Sequence, residues 1–427
     1  MVESTEVTFL IGKAETGDVS AQLTLADMYE NGYGIAKDMG LAAQWYLEAA
    51  NQGSVPAQAS IGSKYLNGDG IEKNYDKAMY WLRLAAGRNS ANAIAEMGWS
   101  FQQGLGVNKD IHKAIQCYEK AAKLDHVSSK FNLGYIYENG LSGIIDHVTA
   151  FKFYLDAAID GHLKAQLNIG LMYENGVGHE IDLIQAAEWY RKAADRNYTK
   201  AQFNLGRMYE HGKGVPKDYA EAVKWYEQAA DHGYYRAQYN LGLLYMNGNG
   251  IGQNMTLAVS YLLKASAKPY AKASYQLGKI YLVNINEKGA IHDSIDYFLE
   301  AAELNYPPAQ YQLGKIFMDD SCEEKDCEQS YHWFYKSAFL GHQPAQFKLG
   351  LSYKDGIGVE KDLSLAYAWF KIAGENNHKS AVKACKALEI LMSNDEINNA
   401  KQLLVKLRIE IKKILLSESG GLNDKIY

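Results

Sequence analysis

Proline is scarce, with 6 residues in a chain of 427. It removes a backbone donor and breaks helix interiors, so its scarcity suits a chain made mostly of helix. Cysteine is scarcer still. Cys117, Cys322, Cys327 and Cys385 share no regular spacing, which argues against a disulfide framework. Basic charge is not in surplus either. The formal net charge is −6 at pH 7, which speaks against a nucleic-acid backbone as the main partner. No run approaches the roughly 18 apolar residues of a membrane span. The opening Met1-Val2-Glu3-Ser4-Thr5-Glu6 lacks the charged-then-apolar order of a secretory signal. The expectation is a soluble protein of a reducing compartment, the cytoplasm.

Catalytic signatures are also missing. There is no His-Glu-x-x-His, no phosphate loop with lysine and serine, and no nucleophile elbow. The chain is therefore expected to be no enzyme, with no catalytic residues, cofactor or metal. The rival is a hydrolase-like enzyme with its acid–base pair lining a groove.

What is present is a period of 36. Ala201-Gln202-Phe203-Asn204-Leu205-Gly206 is preceded at that spacing by Ala165-Gln166-Leu167-Asn168-Ile169-Gly170 and followed by Ala237-Gln238-Tyr239-Asn240-Leu241-Gly242. The frame runs from Ala21 to Ala381 in ten steps without insertion. A fixed period of this length marks a solenoid, in which each unit packs on its neighbours. Each unit reads as two helices. Pro56, Pro308 and Pro344 fall in the first turn of helix A, where a missing N–H costs nothing. Gly212-x-Gly214 ends helix A, and Asp218 with Glu221 resembles a capping box opening helix B. Gly206 recurs in mid-helix, where it costs about 1 kcal/mol against alanine, so a close helix approach is expected there. Trp225 and Tyr226 supply rings opposite the small residues. Core packing explains these rings better than a ladder of ligand sites.

The pattern from Ala201 to Ala230, with Ala-Gln, the mid-helix Gly206, Gly212-x-Gly214 and Trp225-Tyr226 before Ala229-Ala230, resembles the Sel-1-like repeat family, relatives of the tetratricopeptide repeats. The resemblance covers residues 21–381. It implies an all-α, right-handed superhelical solenoid and an adaptor role in assembling protein complexes. It also implies a bacterial setting, sometimes as an effector or virulence factor exported to a host cell without a classical signal peptide. A regulatory subunit of a signalling or envelope complex is a further possibility.

The expected organisation is an N-terminal capping half repeat at 1–20, ten repeats at 21–380, capping helices at 381–416 and a flexible tail at 417–427. Phe9 aligns with Trp45 in the half repeat. Ser393 with Glu396 looks like a capping box before a helix whose apolar residues, Ile397, Ala400, Leu404, Leu407, Ile411 and Ile414, alternate three and four apart. That stripe reads as a cap on the tenth repeat in a monomer, or alternatively as a homodimer seam.

Departures from the period carry the functional signal. Six of seven tryptophans sit in the helix B packing column. Trp99 instead falls on helix A, in the column of Tyr135 and Arg207. Tryptophan, tyrosine and arginine are favoured anchors of binding surfaces. With the asparagine column Asn132, Asn168, Asn204 and Asn240, these residues form the candidate partner-binding groove for proteins or peptides. The alternative is that the asparagines are repeat consensus and Trp99 packs on a neighbour. Repeats eight and nine lack Gly-x-Gly, having Asn284-Ile285-Asn286 and the acidic stretch 319–327. Cys322, Cys327 and His332 match no common zinc spacing, so a solvated acidic loop is the favoured reading there.

Overall fold

A computed structural model describes residues 5–283, 289–320, 325–375 and 378–421, with side chains up to residue 417. The described residues form helices and connecting loops without a strand. The chain divides into two compact units, Met1–Met208 with Gly212–Pro216, and Tyr209–His211 with Lys217–Tyr427.

The first unit runs α1 (Thr5–Glu15), α2 (Val19–Asn31), α3 (Met39–Asn51), α4 (Val55–Asn67), α5 (Tyr75–Gly87), α6 (Ala91–Gln103), α7 (Ile111–Ala122), α8 (Val127–Glu138), α9 (His147–Ile159), α10 (Leu163–Asn175), α11 (Leu183–Ala194) and most of α12 (Thr199–His211). The pairs α2/α3, α4/α5, α6/α7, α8/α9 and α10/α11 pack internally, and α3/α4, α5/α6, α7/α8 and α9/α10 join successive pairs. The second unit runs α13 (Tyr219–Asp231), α14 (Tyr235–Asn247), α15 (Met255–Ser266), α16 (Ala271–Val283), α17 (Ala290–Glu303), α18 (Pro307–Met318), α19 (Cys327–Phe339), α20 (Gln343–Asp355), α21 (Leu363–Glu375), α22 (Lys379–Leu391) and α23 (Asn394–Gly421). It stacks by the same rule, with α14/α15, α16/α17, α18/α19 and α20/α21 as its closest pairs. Each unit is a helical solenoid.

Local chemistry sets the repeat. Asp218 opens α13 by accepting from the amides of Ala220 and Glu221 at 2.9 and 3.0 Å. Glu221 does not complete a capping box, because it pairs with Lys224 instead. The Gly-x-Gly pair has two separate roles. Gly68 ends α4 in the left-handed conformation, φ 80°, with its amide on Lys64 O. Gly70 lies so close to α3 that a Cβ there would sit 1.9 Å from Met39 O. The mid-helix glycine is a contact point as well. A Cβ on Gly170 would lie 2.5 Å from the Tyr190 ring. The glutamine of the Ala-Gln dipeptide ties successive pairs together. Buried Gln166 and Gln310 donate to the carbonyls of Ala158 and Ala302, at the end of the preceding helix.

The ends differ in part from expectation. Phe9 is exposed on α1, unlike the half-buried Trp45 it aligns with. Ser393 and Glu396 form a reciprocal capping box, with Ser393 N donating to Glu396 Oε2 and Glu396 N donating to Ser393 Oγ. The α23 stripe is occupied. Ala400, Leu404 and Ile411 are buried in one core with residues of α21, including Trp369 and Phe370, and Ile397, Leu407 and Ile414 pack against that core. A homodimer through this face would have to displace α21. The helix also continues through Ser417, where a tail was expected, to Gly421. Asn284-Ile285-Asn286, Cys322 and residues 422–427 lie outside the described residues.

Candidate functional site

The asparagine column has a structural task. Asn240 Nδ2 donates to the Tyr226 hydroxyl at 3.0 Å, and Asn132 donates to the hydroxyl of Tyr118. Those hydroxyls in turn donate to a residue 16 positions back. Tyr118 meets Gln102, Tyr154 meets Glu138, Tyr190 meets Glu174 and Tyr226 meets Glu210. The pattern is visible along the chain. Tyr118, Tyr154, Tyr190 and Tyr226 precede Asn132, Asn168, Asn204 and Asn240, whereas Leu82, Leu262 and Phe298 precede Glu96, Gln276 and Gln312. Each of the four asparagines follows a tyrosine of this column, whereas Tyr46 of the same column precedes Ser60.

The expected groove residues therefore separate. Asn168 and Asn204 are each 8% exposed, which leaves little surface for a partner. Arg207 Nη2 lies against both carboxylate oxygens of Glu174, so its charge is engaged within the chain. Asn240 serves Tyr226 and belongs to the second unit. Trp99 and Tyr135, in contrast, are 45% and 46% exposed. Of the seven expected residues, Trp99 and Asn132 line one open groove of about 930 Å³ in the first unit, formed by α4, α6 and α8. Tyr135 sits one helical turn beyond Asn132 on α8.

Side-chain size explains why the groove lies there. In most repeats one helix A column carries a ring that meets the ring opening the next helix A. Phe131 stacks on His162 at 4.5 Å, Tyr239 meets Tyr270 at 5.3 Å and Tyr311 meets His342 at 4.9 Å. In repeats two and three that column holds Ala59 and Ala95, facing the level of Ser90 and His126. Two missing rings leave the space open, and Trp99 stands at its side.

The groove has two charged residues that the sequence reading passed over, Arg88 and Glu96. Glu96 occupies the asparagine column and lines the groove, half-buried, with Ser63 Oγ donating to its carboxylate at 3.4 Å. Burial raises its carboxyl above the usual range, and Ser63 only partly offsets that. His126 also lines the groove, and burial lowers its imidazole. Its Nδ1 accepts from Ser129 N and caps α8. The useful signal was the run Ile94-Ala95-Glu96, which replaces Gln-Phe-Asn of the repeat. A second missed feature is an exposed apolar patch on the loop edge. Ile145 and Ile181 stand where Lys37, Lys73, Lys109, Lys217 and Lys361 occur in other repeats.

Among the described residues no cluster of histidine, cysteine and carboxylate side chains could hold a metal, and no helix is long and apolar enough to cross a membrane. Cys327 is a free thiol at the start of α19, with His332 further along the same helix.

The Sel1 repeat profile matches nine segments, contiguous over 19–234 and again at 236–270, 307–342 and 343–378. The chain belongs to the Sel1 repeat family. The unmatched stretch between 270 and 307 still folds as the pair α16/α17. Curated proteins give no significant match. Among solved structures, this Sel1 repeat protein is similar to c5321, a protective antigen present in uropathogenic Escherichia coli. The two share 29% identity over 98% of this chain and 90% of that one, with a TM-score of 0.76. A Sel1 repeat protein from Oxalobacter formigenes is 30% identical over 57% of this chain and 96% of its own, with a TM-score of 0.47. The immunity protein Pa5087 from Pseudomonas aeruginosa is 21% identical over 50% of this chain and 81% of its own, with a TM-score of 0.33. Sel1 repeat proteins are generally protein-interaction scaffolds.

Proposed function

We propose that this Sel1 repeat protein is a non-enzymatic scaffold that takes a segment of a partner protein into the groove between α4, α6 and α8. The observation that carries this reading is the coincidence of two departures from the repeat. Ala59 and Ala95 vacate the space that rings fill elsewhere, and Trp99 is exposed beside it. An exposed tryptophan bordering a pre-formed groove is the usual anchor of a recognition surface. Asn132 and Tyr135 extend the surface along α8. The likeness to a protective antigen of uropathogenic Escherichia coli favours a bacterial setting for this scaffold.

The enzymatic reading draws on Glu96 and His126, whose ionisation shifts in opposite directions within one groove. Both shifts come from burial. Ser129 engages His126 Nδ1, and no hydrogen bond links the two side chains. The scaffold reading accounts for the same residues without chemistry.

The test is Trp99→Ala in the full chain, with circular dichroism and thermal unfolding as fold controls. Partners are captured from the source cell with wild type and variant in parallel. A partner that wild type retains and the variant loses supports the reading. An unchanged partner set with an intact fold sinks it.

A further inference from the structure

We propose that the groove receives a basic side chain of the partner polypeptide, lysine or arginine, with its cation held between the Glu96 carboxylate and the Trp99 ring. This inference rests on the groove being the partner site.

It starts from how the first unit treats its other partly buried carboxylates. Glu30 is paired with Lys64 at 2.8 Å, and Glu174 with Arg207 at 2.7 Å. Glu138 accepts from the Tyr154 hydroxyl at 2.7 Å. Glu96 has neither kind of partner. Leu82 stands where a tyrosine hydroxyl would otherwise approach, and the one polar contact is Ser63 at 3.4 Å. A cation does stand on the groove wall, but it is engaged elsewhere. Arg88 Nη1 donates to Gly53 O at 2.7 Å. A carboxylate held partly out of water without a cation is costly, and an incoming ammonium or guanidinium offsets that cost.

The surroundings suit the same occupant. Trp99 lies three residues beyond Glu96 on α6, so both side chains share one helix face. An indole ring attracts a cation through its face, and a guanidinium stacks on it as well. Ala59, Ser60 and Ala95 keep the groove deep enough for a long aliphatic stem. The negative net charge of the chain favours approach of a basic segment. An acidic occupant would meet the Glu96 carboxylate.

The experiment pans a random-peptide phage library against the full-length protein. Binders that depend on Trp99 are then synthesised and measured against wild type, Glu96→Gln and Glu96→Lys, all checked for fold by circular dichroism. The expected result is enrichment of peptides with a lysine or arginine whose replacement by glutamine weakens binding about tenfold or more. Glu96→Gln should weaken it similarly, and Glu96→Lys should abolish it. Trp99-dependent peptides that carry no basic residue, or that bind Glu96→Gln as tightly as wild type, overturn this inference and leave the groove as the partner site. A library that yields no Trp99-dependent binder overturns both readings.

Discussion

Arg207 Nη2 contacts both carboxylate oxygens of Glu174, at 2.8 and 2.7 Å, across one repeat, and the Tyr190 hydroxyl donates to the same carboxylate at 2.9 Å. Glu174 thus joins three helices of the first unit. Its side chain is 9% exposed, so loss of the guanidinium leaves a charge with little water to turn to. Arg207→Ala should destabilise the first unit by about 1.5–3 kcal/mol, the range for hydrogen bonds to charged groups. The readout is a lowered thermal midpoint with peptide binding at Trp99 unchanged. A repeat array need not unfold in one step, so the midpoint is the safer quantity to compare.

Two glycines with opposite surroundings separate packing from propensity. A Cβ on Gly170 would lie 2.5 Å from Tyr190 Cε1, and one on Gly12 would meet nothing within 4 Å. Gly12→Ala should gain roughly 0.5–1 kcal/mol of helix stability. Gly170→Ala should lose about 1–3 kcal/mol, because overpacking outweighs the same propensity gain. Thermal unfolding of the two variants should move in opposite directions. Equal shifts would refute the close-approach account.

His342 opens α20 beside the Tyr311 ring, with its Nδ1 buried and without a hydrogen-bond partner. Burial lowers its imidazole from 6.5 to about 4. The unfolded chain then binds a proton at a pH where the folded chain does not. Its contribution to stability is complete above about pH 6.5 and falls as the pH drops from there towards 4. Tyr198, Tyr234, Tyr270 and Tyr306 occupy the same column in other repeats. His342→Tyr should therefore fold normally and lose less stability between pH 6.5 and 4 than wild type, measured by denaturation midpoints across that range. His126, His162 and His332 shift in the same direction and add to the slope.

Much of the fold was legible because the repeat is a packing instruction written many times. Gly206, the Gly-x-Gly loops and the Asp218 cap each correspond to a local geometry that one residue type satisfies, so their recurrence reads directly as helix pairs. The site was legible only where a residue broke its own column. Trp99 did so visibly. Ala59 and Ala95 did so by being small, and a missing ring attracts no notice in a sequence even though it creates the groove. The asparagines misled for a related reason. Asn132 and Asn240 donate to a tyrosine hydroxyl on another helix and Asn168 and Asn204 are nearly buried, and helical periodicity alone does not resolve such packing. The α23 stripe posed the same problem, since three-and-four spacing fits a dimer seam and the cap on α21 equally well.

The missing rings also offer the cleanest separation of fold from function. In repeat four Phe131 stacks on His162 at 4.5 Å, and the equivalent pair in repeat three is Ala95 with His126. Ala95→Phe restores the ring that the repeat carries elsewhere. Ala95 is 7% exposed, packs with Ala121 and also lines the groove, so the added ring is accommodated only where it turns from that contact into the groove. Burying it on His126 should leave stability unchanged or raise it by about 1–2 kcal/mol at roughly 25 cal/mol per Å². The same ring takes the volume into which a partner side chain would insert. Ala95→Phe should thus unfold at or above the wild-type temperature while losing binding of Trp99-dependent peptides. A variant that is as stable as wild type and still binds them with full affinity would show that the partner lies elsewhere on the solenoid. Loss of both stability and binding would instead mean that Ala95 is small because a neighbour already occupies the space.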